Sequence, residues 1–220
     1  MTSQDAVRSD VAMVAVATLV VAAALTGVVL RLSARVGMLD IPNARSSHTT
    51  PIPRGGGIAI VIAFAAGLAM LGAVNGSQPR LLVVLLGGGS AVAMIGFLDD
   101  RHRLSARVRL AVHAAAALFA LIELGGLPAM RVGEYVLRPG LGGYALGTVA
   151  IVWVLNLFNF MDGIDGIAAA EAIFVVAAGA LMPGISDPGL VASSYAVVFA
   201  AACLGFLFWN WSPAKIYNGR

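Results

Sequence analysis

VAMVAVATLVVAAALTGVVL, the stretch from Val11 to Leu30, contains no charged residue. A helix needs about 20 mainly apolar residues to cross the hydrocarbon core of a bilayer, where every backbone polar group must be satisfied within the segment. This stretch has that length. Its leader carries Asp5 and Asp10 against Arg8, and its apolar part outlasts the core of a typical secretory signal, so it reads as a retained span. Working outward, further apolar runs fall at about Ile58–Val74, Leu81–Leu98, Val108–Leu124, Tyr144–Phe160, Ile167–Met182 and Leu190–Trp209, which makes seven candidate spans.

Composition agrees with that reading. The chain of 220 residues is 60% hydrophobic and 11% charged, with a mean hydropathy of +0.91; soluble domains are about half apolar and about a quarter charged. The expected fold is an all-α, polytopic membrane helix bundle with about seven transmembrane helices, forming a single transmembrane domain over residues 1–220. No connector is long and polar enough to be a soluble domain, and no nucleic-acid partner is expected. The loops on one side fall at about 31–57, 99–107, 161–166 and 210–220. The single Cys203 lies inside an apolar run, which excludes an intrachain disulfide and leaves the thiol as a small packing residue.

Sorting alternate loops by charge sets the orientation. One side holds Arg31, Arg35, Arg45, Arg54, Arg101, Arg103, Arg107, Arg109, Lys215 and Arg220; the other holds Arg8, Arg80, Arg131 and Arg138. By the positive-inside tendency the first side is cytoplasmic and the N-terminus lies outside. The same sorting brings Asp40, Asp99, Asp100, Asp162 and Asp165 to the cytoplasmic face, although acidic residues took no part in the assignment.

Three polar segments on that face are candidates for chemistry. Asp99 and Asp100 follow Gly96-Phe97-Leu98 at a span end, beside a basic stretch attractive to phosphate. Asn156, Asn159, Asp162 and Asp165 recur every three residues, so on a continuous helix they form one polar stripe at the end of an apolar span. Polar side chains so close to hydrocarbon are costly and mark a site by default. Gly163 and Gly166 permit a break there, or a ligand's close approach to the backbone. In the first loop, Pro51 and Pro53 hold the chain extended, and Gly55, Gly56 and Gly57 expose backbone N–H groups where a helix N-terminus favours an anion. His48 and Arg54 add donors suited to a diphosphate. His102 reads as solvated and His113 as a packing or interhelix group.

Taken in order, these segments resemble a known family. They are H-x-x-P-x-P-R-G-G at His48 to Gly56, G-F-x-D-D at Gly96 to Asp100 followed by Leu104-Ser105-Ala106-Arg107, and N-x-x-N-F-M-D-G-x-D-G at Asn156 to Gly166. The pattern resembles the polyprenyl-phosphate N-acetylhexosamine-1-phosphate transferases of bacterial inner membranes, which serve peptidoglycan and O-antigen synthesis; the Arg-Ser-Ser-His form is nearest the O-antigen type. The resemblance covers about Asp40 to the C-terminus. It implies transfer of a sugar 1-phosphate from a UDP-N-acetylhexosamine to undecaprenyl phosphate, with release of UMP and a requirement for magnesium or manganese. Asp99, Asp100, Asp162 and Asp165 would be catalytic, with Asp99, Asp100 and Asp165 the candidate metal ligands. His48, Arg54, Asn156 and Asn159 would bind substrate. A homodimer is the oligomer it implies.

Near the end, Asn210-Trp211-Ser212-Pro213-Ala214-Lys215-Ile216-Tyr217 is similar to the family's N-x-x-P-A-K-x-aromatic segment, which adds Asn210, Lys215 and Tyr217 to the substrate-binding set. The family continues with Met-Gly-Asp, whereas this chain reads Asn218-Gly219-Arg220 and stops, so Arg220 stands where a metal-binding aspartate is expected. The expectation is a C-terminally truncated member. Its rivals are a non-catalytic remnant that binds lipid phosphate or nucleotide, and a transporter. Transport sites usually lie near the bilayer midplane, unlike aspartates gathered at one surface.

Overall fold

The structure, a computed structural model, describes residues 3–42, 50–75, 78–102, 104–162, 164–181 and 189–219. His48 and Arg220, with Arg45, Arg103 and Gly163, lie outside the described residues.

The apolar runs are helices. Helix α1 covers Ser3–Val36 and α2 covers Gly57–Asn75. A short α3, Pro79–Leu82, passes through a π-helical turn at Val83–Gly88 into α4, Gly89–His102, so that Pro79–His102 is one continuous rod. Then come α5 (Ala106–Leu124), α6 (Gly140–Met161), α7 (Ile167–Leu181) and α8 (Gly189–Asn210). Among the described residues, five of these rods are long and apolar enough to cross a membrane; α5, with Arg107 and Arg109 at its start, and the short α7 are helices at the other two expected positions. The fold is all-α apart from two small antiparallel ribbons, β1 (Leu39–Asp40) with β2 (Ile52–Pro53), and β3 (Met130–Val132) with β4 (Tyr135–Leu137).

Helix ends depart from the apolar runs in an instructive way. With 34 residues, α1 is about 51 Å long at 1.5 Å per residue, well beyond a hydrocarbon core of about 30 Å. It carries Arg31 and Arg35 inside the helix, where Arg35 in the last turn suits the negative end of the helix dipole. Likewise α4 runs to His102, so Asp99 and Asp100 stand on its last turns and not in a loop. The connector expected at 99–107 shrinks to the few residues before Ala106.

The chain forms two compact units, one of Met1–Ser77 with Met161–Arg220 and one of Gln78–Phe160. In the first, α1 packs along α8 and α2, and α7 packs on α8. Small residues allow this closeness, as expected where lipid competes equally for apolar side chains and tight backbone approach decides association. Ala22, Ala63 and Ala202 meet with no exposed surface. A side chain on Gly205 would collide with the Leu19 carbonyl and the Ala22 methyl. Hydroxyls inside the layer are satisfied locally, Thr18 donating to the Val14 carbonyl (2.8 Å) and Thr26 to that of Ala22 (2.7 Å). Trp209 ties α8 to α1 by donating its indole N–H to the Ala23 carbonyl at 2.9 Å.

In the second unit, the rod Pro79–His102 packs against α5, and the hairpin β3–β4 joins the far end of α5 to α6. Ser105 caps α5, its hydroxyl accepting from the Val108 amide at 3.4 Å.

Candidate functional site

In the first unit the site is built by the chain's last residues. Helix α8 ends at Asn210, and the segment after it turns back, the Lys215 amide donating to the Trp209 carbonyl at 2.9 Å. Asn210 is 2% exposed and works in both directions. Its Oδ1 accepts from the Gly166 amide at 3.1 Å, and its Nδ2 donates to the Ile216 carbonyl at 2.8 Å. One buried amide side chain therefore fixes the α6–α7 loop against the C-terminal segment, which is the kind of fully paired polar group a low-dielectric interior tolerates.

That segment then holds both aspartates of the loop. The Ala214 amide donates to Asp165 Oδ2 at 3.0 Å, and the Tyr217 hydroxyl donates to Asp165 Oδ1 at 2.6 Å. Asn218 Nδ2 donates to Asp162 Oδ1 at 2.9 Å. These bonds fix the orientation of both carboxylates. Tyr217 itself is buried with Ile52 and Ala214, while Ile216 packs on Phe206 and Ala169. Lys215 is exposed, with its ammonium 5.4 Å from the centroid of the Trp209 ring.

The first loop joins through its backbone. Tyr217 N donates to the Pro53 carbonyl at 2.9 Å, Gly56 N to the Tyr217 carbonyl at 2.9 Å, and Gly57 N to that of Asn218 at 3.0 Å. This corrects the expectation that these glycine amides are open to an anion: the C-terminal segment takes the amides of Gly56 and Gly57. The need for glycine remains, for a different reason. A Cβ on Gly56 would sit 2.5 Å from a Phe206 ring carbon and 3.1 Å from the Tyr217 carbonyl oxygen. Arg54 follows β2, its amide donating to the Met38 carbonyl at 3.1 Å.

The polar stripe expected at every third residue divides at the end of α6. Asn156 and Asn159 lie on the exposed side of that helix, whereas Asp162 and Asp165 lie in the turn after Met161. Gly166, with φ of +74°, is where the backbone takes a left-handed conformation before α7.

In the second unit, Asp99 and Asp100 stand at the C-terminal end of α4, where the helix dipole disfavours negative charge and a cation is called for. Arg109, one turn into α5, supplies it: its guanidinium donates to Asp99 Oδ2 at 2.6 Å, with the Asp99 side chain 10% exposed. Asp100 is buried. Asn156 Nδ2 donates to the Val152 carbonyl at 2.7 Å and lies on the wall of an apolar cavity of about 650 Å³. Leu110 and Ala114 of α5 line it together with Val149, Val152 and Trp153 of α6, and it is open on one side.

Two partners were not singled out from the sequence. Arg109 was counted only among loop cations; its pairing depended on a tight turn that Ser105 caps. Asn218 stood out only as a departure from the family pattern, and its role depends on the C-terminal segment folding back.

Among the described residues, no three His, Cys, Asp or Glu side chains converge as a ready metal cage. A magnesium ion does not need one, since it is usually held by one or two carboxylates with waters and substrate phosphates. The donor sets Asp162 with Asp165, and Asp99 with Asp100, are of that kind.

Spanning helices followed at their ends by paired carboxylates, one held by an arginine in the second unit and two by amides and a tyrosine in the first, define a polytopic membrane protein with acidic chemistry at its helix ends. The chain belongs to Glycosyl transferase family 4, whose pattern matches residues 82–220. It is 32% identical over 197 residues to the probable undecaprenyl-phosphate N-acetylglucosaminyl 1-phosphate transferase of Bacillus subtilis, covering 89% of this chain and 54% of that protein. It is 31% identical over 235 residues to the decaprenyl-phosphate N-acetylglucosaminephosphotransferase of Mycobacterium tuberculosis, covering 96% and 56%. A phospho-N-acetylmuramoyl-pentapeptide-transferase of Mycolicibacterium paratuberculosis is 32% identical over 251 residues, covering 91% and 69%. The chain thus spans about half the length of the first two relatives.

Proposed function

We propose that this chain carries acidic machinery for transferring a sugar 1-phosphate from a UDP-N-acetylhexosamine to undecaprenyl phosphate, releasing UMP, at the cytoplasmic face of the bacterial inner membrane. The observation that carries this reading is the clamp on Asp165, both of whose oxygens accept hydrogen bonds from the segment Ala214 to Tyr217. The relatives, named for a polyprenyl-phosphate acceptor and an N-acetylated sugar phosphate, support it.

The chemistry asks for little covalent help. The acceptor is a phosphate monoester with a second pKa of about 6, so near neutrality it is already largely dianionic. Its attack on a diphosphate brings two anions together, and catalysis is positioning plus charge neutralisation. Bound magnesium would supply that neutralisation; Asp99 and Asp100 in one unit, and Asp165 in the other, are the proposed carboxylate donors. Tyr217 and Ala214 hold Asp165 in one rotamer, Asn218 does the same for Asp162, and Arg109 steadies Asp99. Asn156, Asn159, Lys215, His48 and Arg54 are proposed to contact substrate, and Asn210, buried and bonded at both ends of its amide, to position the loop that carries Asp165. The cavity between α5 and α6, lined by Leu110, Val149 and Trp153 with Asn156 on its wall, suits an isoprenoid chain.

The test is UMP release by the purified chain in lipid, given undecaprenyl phosphate and a panel of UDP-N-acetylhexosamines, beside Asp99→Asn and Asp165→Asn. Release that requires magnesium and both aspartates is the expected result. No release from protein shown to be folded overturns the proposal for this chain.

A further inference from the structure

The ribbon between α5 and α6 has two unlike faces. Its register pairs Met130 with Leu137, Arg131 with Val136 and Val132 with Tyr135. Residues directly opposite in an antiparallel pair point to the same side, and neighbours along a strand alternate. Met130, Tyr135 and Leu137 therefore share one face, and Arg131 shares the other with Val136. The apolar face is not buried in the protein: Met130 is 42%, Tyr135 79% and Leu137 52% exposed. An isolated two-stranded ribbon is marginal in water, so a structure that leaves its apolar face open calls for a further contact.

The position of the ribbon says what that contact is. Only Arg138 and Pro139 separate β4 from α6, a helix apolar and long enough to cross a membrane. The ribbon thus lies at the level where that helix leaves the bilayer, at the end of α5 remote from Arg109 and Asp99. Leu141, in the first turn of α6, is likewise apolar and 89% exposed. A tyrosine among aliphatic residues is the composition of a membrane interface, and Arg131 and Arg138 flanking that surface complement lipid phosphates.

We propose that the β3–β4 hairpin is a membrane-surface anchor, laying Met130, Tyr135 and Leu137 into the headgroup boundary of an anionic bilayer while Arg138, and Arg131 snorkelling from the opposite face, contact lipid phosphates. The hairpin holds the remote ends of α5 and α6 at a fixed depth. This inference does not depend on the transfer reaction.

The test replaces Cys203 with alanine in the full chain, introduces Tyr135→Cys, Leu137→Cys or Val136→Cys, and attaches a nitroxide. The protein is reconstituted in phosphatidylcholine vesicles with and without phosphatidylglycerol, and collisions with oxygen and with a water-soluble nickel complex are measured. Positions 135 and 137 are expected to favour oxygen severalfold over position 136. Phosphatidylglycerol should deepen them, and Arg131→Ala with Arg138→Ala should abolish that dependence. Equal, high nickel access at 135 and 136 overturns the proposal by placing the ribbon in water. Shielding of 135 from both reagents overturns it by showing that protein covers the face.

Discussion

Tyr217 is the residue on which the first unit's acidic site turns. Its ring is buried with Ile52 and Ala214, and only its hydroxyl reaches Asp165, at 2.6 Å. Tyr217→Phe keeps the ring and deletes one hydrogen bond to a charged group, so it should lower stability by about 1–2 kcal/mol, read as a modest fall in melting temperature. Under the proposed function it should also raise the magnesium concentration needed for half-maximal UMP release, because Asp165 loses its fixed rotamer. An unchanged magnesium dependence would show that the hydroxyl has only a structural part. Asp99 makes a parallel case. Arg109 is its cation, and removing either partner leaves the other without its ion pair. A double-mutant cycle with Asp99→Ala and Arg109→Ala should give a coupling of about 1 kcal/mol or more; additive losses would mean that the pair contributes no more than two separate charges. Asp99 is legible in the sequence because two carboxylates at a span end are conspicuous. The pairing is not, because Arg109 resembles every other juxtamembrane arginine until the turn at Ser105 is known.

At the scale of elements, the helices were legible and the connections were not. Hydrocarbon imposes one rule on every spanning segment, and runs such as Val11–Leu30 and Tyr144–Phe160 obey it, so each lies inside a helix. Helix ends answer to local bonds instead, which is why α1 extends to Val36 and α4 carries Asp99 and Asp100. The C-terminal segment was recognised by its residue pattern, yet its partners lie far away in sequence, from Pro53 and Gly56 to Asp162 and Asp165. No periodicity encodes such contacts. Gly56 tests whether the segment and the first loop act as one element. Since a Cβ there would meet both Phe206 and the Tyr217 carbonyl, Gly56→Ala should prise the segment away from β2. Hydrogen exchange should then speed up at the Tyr217 amide, which is bonded to the Pro53 carbonyl, with the helical core unaffected. Unaltered exchange would show that the segment is held by Asn210 and the aspartates alone.

For the molecule as a whole, orientation decides whether the aspartates can meet a nucleotide sugar. The arginines at the α4–α5 connection and the smaller number at the hairpin are unequal, and the excess is proposed to be cytoplasmic. Within the second unit the two ends are unambiguous: α5 runs from Ala106, next to Asp99 and Arg109, to Leu124, next to the hairpin. His102 and Glu134 are exposed reporters of these ends. With Cys203→Ala as background, a membrane-impermeant maleimide added to intact cells should modify Glu134→Cys and leave His102→Cys untouched until the membrane is opened. Cys203 is buried at 2% exposure, and alanine fits its place with little loss. The reverse pattern would put Asp99 and Asp100 on the outer face, away from the cytoplasmic pool of UDP-sugars, and the proposed transfer would lose its donor whatever the geometry of the carboxylates. Labelling of both positions from outside would deny that α5 crosses the membrane, which its arginine-bearing first turn makes the most exacting case among the helices.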